Sequence, residues 1–257
     1  MNSKKKALLI ILILIVHFLI LGLTTHAVAA PITIPDINLE IGQGEGEPQE
    51  YVNNIKLLIL LTILTLIPSF IILVTSFTRI IVVFSLLRNA LATQQTPPNQ
   101  ILIGLALFLT IFIMAPVYGQ VTEEAINPYL DGTISQEEAI EVGSVPIKEF
   151  LLRQTREKDL ALFVNISQDE LPEDRMETPF SALIPAFVIS ELKTAFQIGF
   201  ILYIPFIVID MVVASILMSM GMFMLPPVTI SLPFKLLLFI LVDGWHLVVK
   251  SLVESFI

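Results

Sequence analysis

Arg79, Glu191, Lys193, Asp210, Lys235 and Asp243 stand inside otherwise apolar stretches of this sequence. A charge at bilayer depth is costly, and it is kept there for a partner, a water-lined path or a proton relay. Lys235 and Asp243 are eight residues apart, a little over two helical turns, so on one helix they project to roughly the same face and would form a charged seam. Glu191 and Lys193 are two apart and point to different faces, which places their partners on other segments or subunits. We expect Lys235 to pair with Asp210 or Glu191 of the same or an adjacent subunit. Arg79 either faces a protein interior, a partner subunit or water, or snorkels to the headgroups. A relay would require these groups to titrate, whereas structural pairs need only stay charged.

A second kind of chemistry is suggested by Ile216 to Pro227, I-L-M-S-M-G-M-F-M-L-P-P, a methionine-dense turn between two apolar segments. Four of the eight methionines alternate there: Met218, Met220, Met222 and Met224. Thioether side chains fill irregular gaps and adapt to more than one partner shape. Gly221 permits backbone angles that other residues avoid, and Pro226 and Pro227 stop a helix. The turn reads as a compliant plug or as gap-filler in an apolar core.

Other chemistries are excluded by composition. The 257 residues contain no cysteine, and the three histidines do not cluster, so there is no disulfide framework, thiolate metal site or cysteine nucleophile. A net charge of -9 argues against a nucleic-acid partner, whose phosphates require Lys and Arg. The adjacent pairs Glu137-Glu138 and Asp169-Glu170 lack a calcium-loop pattern and read as solvated surface. With no nucleophile and base pair, phosphate-cradling loop or metal-ligand spacing, no enzyme constellation and no cofactor is expected.

The elements that must position these residues are helical and membrane-associated, since the chain is 55% hydrophobic with a mean hydropathy of +0.87. Residues 1–29 read as a signal peptide: Lys4 to Lys6, an apolar run from Ala7 to Leu23, then Ala27-Val28-Ala29 as the cleavage region. The alternative for this stretch is an uncleaved first transmembrane helix. Residues 30–54 read as a flexible leader. Residues 55–119 form a first apolar block, too long for one crossing, in which Pro68 can kink the chain and the polar Thr75, Ser76, Thr78 and Arg79 interrupt it. The polar turn Thr93 to Gln100 follows, and Ile101 to Pro116 is then an apolar stretch slightly short for a span.

Residues 120–179 change to an acidic, water-soluble composition. Ser135-Gln136-Glu137-Glu138 has capping-box spacing, and Ile147 to Val164 has the pattern of an amphipathic helix. Such an acidic region is expected outside the cytoplasm, packing against its copies or neighbours. Residues 180–257 form the second apolar block, with Ile230 to Val253 read as one segment carrying Lys235 and Asp243. The expected fold class is all-α and membrane-associated, with long kinked apolar helices forming hairpins and a small helical extracytoplasmic domain.

Three long runs carry a resemblance. Thr75 to Pro116 (T-S-F-T-R-I-I-V-V-F-S-L-L-R-N-A-L-A-T-Q-Q-T-P-P-N-Q and onward), Pro185 to Ser215, and Thr229 to Leu252 closely resemble the FliP/YscR/SctR family of type III secretion export-gate proteins. The resemblance runs from about Leu57 to the C-terminus. It implies a homo-pentameric ring completed by FliR and FliQ, with FlhB and FlhA as further partners and FliO assisting assembly. It also implies a conduit for unfolded flagellar proteins at the bacterial inner membrane, in the flagellar basal body. In that family a methionine cluster after the glycine closes the pore as a gasket. Here the cluster falls on Met222, Phe223 and Met224, and Phe223 departs from the methionine of the usual pattern. The rival reading is a small-ion channel or proton-coupled transporter, motivated by the embedded charges.

Overall fold

The computed structural model describes residues 48–167 and 174–256. The signal peptide, most of the leader, and Asp169-Glu170 lie outside the described residues. Ile55–Ile257 forms one compact unit, and all the packing below belongs to it. Every regular element among the described residues is a helix.

Helix α1, Pro48–Leu73, begins inside the stretch expected as leader and carries Pro68 within it. Its apolar segment Ile55–Leu73 has the length and composition of a membrane span, and none of it is buried within the chain. The long first block breaks at Val74 to Ser76, where the polar residues predicted an interruption, and α2, Phe77–Ala90, follows. Along α2 the buried residues Phe77, Ile80, Phe84 and Leu87 recur at three- and four-residue intervals, the stripe of a helix with one face in a core.

Helix α3, Asn99–Val121, does not end near Pro116 as the sequence suggested. It runs on through a wide turn of helix at Thr122–Ile126 into α4, Asn127–Leu130. Pro116 is accommodated because a helix in apolar surroundings tolerates one missing N–H when its neighbours are packed. The resulting rod, Asn99–Leu130, spans 32 residues, long enough to cross a membrane.

The acidic region contains α5, Gln136–Gln154, and α6, Glu157–Ser167. Ser135 caps α5, its hydroxyl accepting the Glu138 N–H at 3.2 Å. The single amphipathic helix expected over Ile147 to Val164 is instead split at Thr155, which takes extended backbone angles. The break lets α5 lie on α3 and the wide turn while α6 turns onto α7.

Helix α7, Phe180–Ser219, is a continuous 40-residue rod, about 60 Å long at 1.5 Å per residue. Its first half packs mainly on α2 and α6, burying Leu183, Ala186, Phe187 and Ala195. Its second half runs out with Ile201, Val208, Met211 and Ile216 exposed. Helix α8, Pro227–Leu241, returns along it, and α9, Gly244–Glu254, continues after a bend of 63°. The one segment expected over Ile230 to Val253 is therefore two helices. Asp243, at φ 50°, occupies the left-handed region at the corner. A Cβ on the next residue, Gly244, would overlap the Phe239 ring, so the turn closes only around a glycine.

Candidate functional site

Arg79, on the buried stripe of α2, is 2% exposed and reaches across to Glu191 on α7, itself fully buried. Its Nε donates to Glu191 Oε2 at 2.8 Å, and its Nη2 pairs with Glu191 Oε1. Nη2 also donates to Gln154 Oε1 at 2.9 Å, while Nη1 donates to both the carbonyl and the Oγ of Ser255 at 2.9 Å. All three nitrogens are thus engaged, and the Phe256 ring lies 3.8 Å under the guanidinium carbon. One buried side chain joins α2, α5, α7 and the C-terminal turn. Of the environments open to Arg79 in the sequence, the structure gives the protein interior.

A second buried cation sits on α8. Lys235, 2% exposed, donates to Asp210 Oδ2 at 2.6 Å and to the Ala90 carbonyl at 3.2 Å. The Ser231 hydroxyl donates to the other Asp210 oxygen. Both carboxylate oxygens are therefore bonded, and α8 is tied to α7 and to the end of α2. Burying an ion pair stabilises little by itself, yet a buried charge left unpaired is severely destabilising, so each of these charges depends on its partner.

The other two embedded charges fall elsewhere. Lys193 is exposed on α7 and makes no ion pair among the described residues. Asp243 does not share a helical face with Lys235, because the helix ends at Leu241 and the corner intervenes. Its side chain is exposed and caps no N–H, and its carbonyl accepts from Leu247 at 3.1 Å. The charged seam expected from the eight-residue spacing is not formed.

The methionine turn joins α7 to α8. The Gly221 N–H bonds the Met218 carbonyl and the Met222 N–H bonds the Leu217 carbonyl, each at 3.0 Å, and Gly221 has φ +77°. This is the Schellman ending, in which a left-handed glycine lets the last carbonyls of the helix be satisfied. Pro226 caps α8 and Pro227 begins it, where its missing N–H costs nothing. Between these stops Met222 is 40%, Phe223 78% and Met224 97% exposed. A backbone fixed at both ends thus presents Phe223 and Met224 largely uncovered by the other described residues, with Met222 partly covered beside them.

Residues missed by sequence reasoning are those that complete the two cation sites: Gln154, Ser255 and Phe256 around Arg79, and Ser231 and the Ala90 carbonyl around Lys235. Ser231 carried a signal, lying one helical turn before Lys235 and so on its face. The others come from distant segments.

Residues 60–252, which include the Arg79–Glu191 and Lys235–Asp210 pairs and the methionine turn, match the profile of the FliP family. The chain belongs to the FliP family. It is 58% identical over 211 residues to the flagellar biosynthetic protein FliP of Bacillus subtilis, covering 82% of this chain and 96% of that one. Against FliP of Caulobacter vibrioides the identity is 53% over 228 residues, 89% of this chain and 85% of the relative. With FliP of Aquifex aeolicus it is 51% over 227 residues, 87% and 92% of the two chains. Membership makes the protein a component of flagellar biosynthesis and export rather than an enzyme, with apolar helices that suit a membrane location.

Proposed function

We propose that the protein is a core subunit of the flagellar type III export gate. Five copies form a ring-shaped conduit for unfolded flagellar proteins, and Met222, Phe223 and Met224 form its gasket. Gly221, Pro226 and Pro227 shape that loop. FliQ and FliR complete the ring, FlhB and FlhA act with it, and FliO assists assembly. The complex sits at the inner membrane in the flagellar basal body, with the acidic domain of α5 and α6 outside the cytoplasm.

One observation carries this reading: Phe223 and Met224 project from a turn whose backbone is held by helix-ending hydrogen bonds, yet they are 78% and 97% exposed. Apolar side chains so held are suited to meet their own copies across an axis. Arg79, Glu191, Asp210 and Lys235 would then keep the helices in register behind the loop. A pump-like proton relay would need such groups free to exchange protons along a path, whereas Glu191 and Asp210 each have both carboxylate oxygens engaged by partners within the chain, as structural pairs do.

The test is conductance of the purified assembly in planar bilayers. The wild-type ring is expected to be tight to small ions and the Met222→Ala/Met224→Ala variant leaky. A variant as tight as wild type would sink the gasket assignment. Native mass spectrometry counts the copies, and any number of this subunit other than five overturns the pentamer.

A further inference from the structure

The turn Ala92 to Pro98 between α2 and α3 leaves a polar cavity of about 340 Å³. It is lined by Arg88, Gln94, Gln95, Pro98, Asn99 and Gln100. Its cation is unlike the other two. Arg88 Nη1 donates to the Pro97 carbonyl at 3.3 Å and to Asn99 Oδ1 at 2.6 Å, both neutral acceptors. The Arg88 Nε is buried with no partner among the described residues. Arg88 makes no ion pair among the described residues. No Asp or Glu occurs in the sequence between Tyr51 and Gln120, so the surrounding hairpin holds nothing to neutralise it.

An uncompensated guanidinium beside an open cavity with primary amides on its walls is matched to an oxyanion. The planar fork fits phosphate, and amide N–H groups supply further donors. The location selects the source. Immediately after the cavity, α3 exposes Ile101, Ile103, Leu107 and Phe108, and its rod is long enough to cross a membrane. Were the rod to cross a bilayer, as its length and composition allow, a polar, basic cavity at its end would sit near the headgroups.

We propose that this cavity binds the phosphate of an anionic phospholipid headgroup, with Arg88 as the charged contact and Gln94, Gln95 and Gln100 as its hydrogen-bonding wall. The site is distinct from the methionine turn and does not depend on the gasket reading.

The test uses the full-length protein purified in detergent. Short-chain phosphatidylglycerol, phosphatidylcholine and inorganic phosphate are titrated separately, with bound lipid counted by native mass spectrometry and affinity read by thermal shift. Phosphatidylglycerol is expected to bind most tightly. Arg88→Gln is expected to weaken it about tenfold or more, as loss of a charge-assisted contact does. Arg88 also holds the loop through Pro97 and Asn99, so Gln95→Glu is the second variant. It leaves those bonds in place, sets a negative charge on the cavity wall, and should weaken phosphatidylglycerol by a similar factor without lowering the melting temperature of the lipid-free protein. Inorganic phosphate binding at the wild-type cavity without phosphatidylglycerol binding would overturn the lipid as source. Equal phosphatidylglycerol binding by wild type and Gln95→Glu would overturn the site.

Discussion

Lys235 Nζ lies 2.6 Å from Asp210 Oδ2, across the two helices that the methionine turn joins. The two partners differ in burial: the Lys235 side chain is 3% exposed and that of Asp210 27%. The two single substitutions should therefore be unequal. Asp210→Asn leaves a buried ammonium with only neutral acceptors and should cost about 3 kcal/mol, in the range for stranding a buried charge. Lys235→Met leaves a carboxylate that water can still reach and that Ser231 still bonds, so the loss should be smaller. Thermal unfolding of the two purified variants gives the order, and the reverse order would contradict the assigned burial.

At Arg79 the geometry rather than the charge carries the contact. Three nitrogens serve Glu191, Gln154 and Ser255 at once, and a lysine ammonium cannot span them. Arg79→Lys should destabilise by about 3 kcal/mol, nearly as much as Arg79→Met, because Glu191 loses its two-pronged partner in both. Phe256→Leu keeps the position apolar but removes the ring under the guanidinium, together with its stack on Phe150, and should cost about 1 kcal/mol or more. A fully active, equally stable Arg79→Lys protein would show that charge alone suffices.

Much of this arrangement was legible in the sequence, for reasons that also mark where legibility ended. Charges within apolar runs announced that Arg79, Glu191, Asp210 and Lys235 needed partners, because desolvation makes them intolerable otherwise. Lys235 had two candidate partners, and periodicity on one helix cannot choose between carboxylates at different heights on another. The packing of α2 on α7 decides it by giving Glu191 to Arg79 and leaving Asp210. The turn Gly221 to Pro227 was readable because glycine and proline act through their own backbone limits. The corner at Asp243-Gly244 uses the same kind of signal, an Asp-Gly turn pair. Its apolar flanks outweighed that signal in a reading based on hydropathy. Pro116 had the opposite fate, since a proline that breaks a helix in water is tolerated in a packed apolar one.

Two glycines should respond to alanine for different reasons. At Gly221 nothing lies within 4 Å of a new Cβ, so the cost of Gly221→Ala is the left-handed backbone alone, about 1 kcal/mol, and Gly221→Asn should recover part of it. At Gly244 the obstacle is the Phe239 ring. Gly244→Ala should be rescued in large part by Phe239→Leu, while the same second substitution should do nothing for Gly221→Ala. Melting temperatures of the single and paired variants, read as double-mutant cycles, test this.

Phe223 offers the last test, because its exposure separates folding from function. At 78% exposed, Phe223→Met removes little packing within the chain, so subunit stability should shift by no more than about 0.5 kcal/mol. Any larger consequence must arise between copies. A phenylalanine ring has two side-chain torsions and a rigid face, whereas methionine has three and deforms around what it meets. In a closed ring the stiffer side chain should give the tighter seal, and the more flexible one a seal that yields more readily to a passing chain. Phe223→Met should therefore raise the resting ion conductance of the reconstituted assembly without altering its subunit number. Phe223→Ala, which removes the bulk as well as the stiffness, should raise it further. If both variants conduct as wild type does, Phe223 packs behind the constriction and the seal belongs to Met222 and Met224 alone.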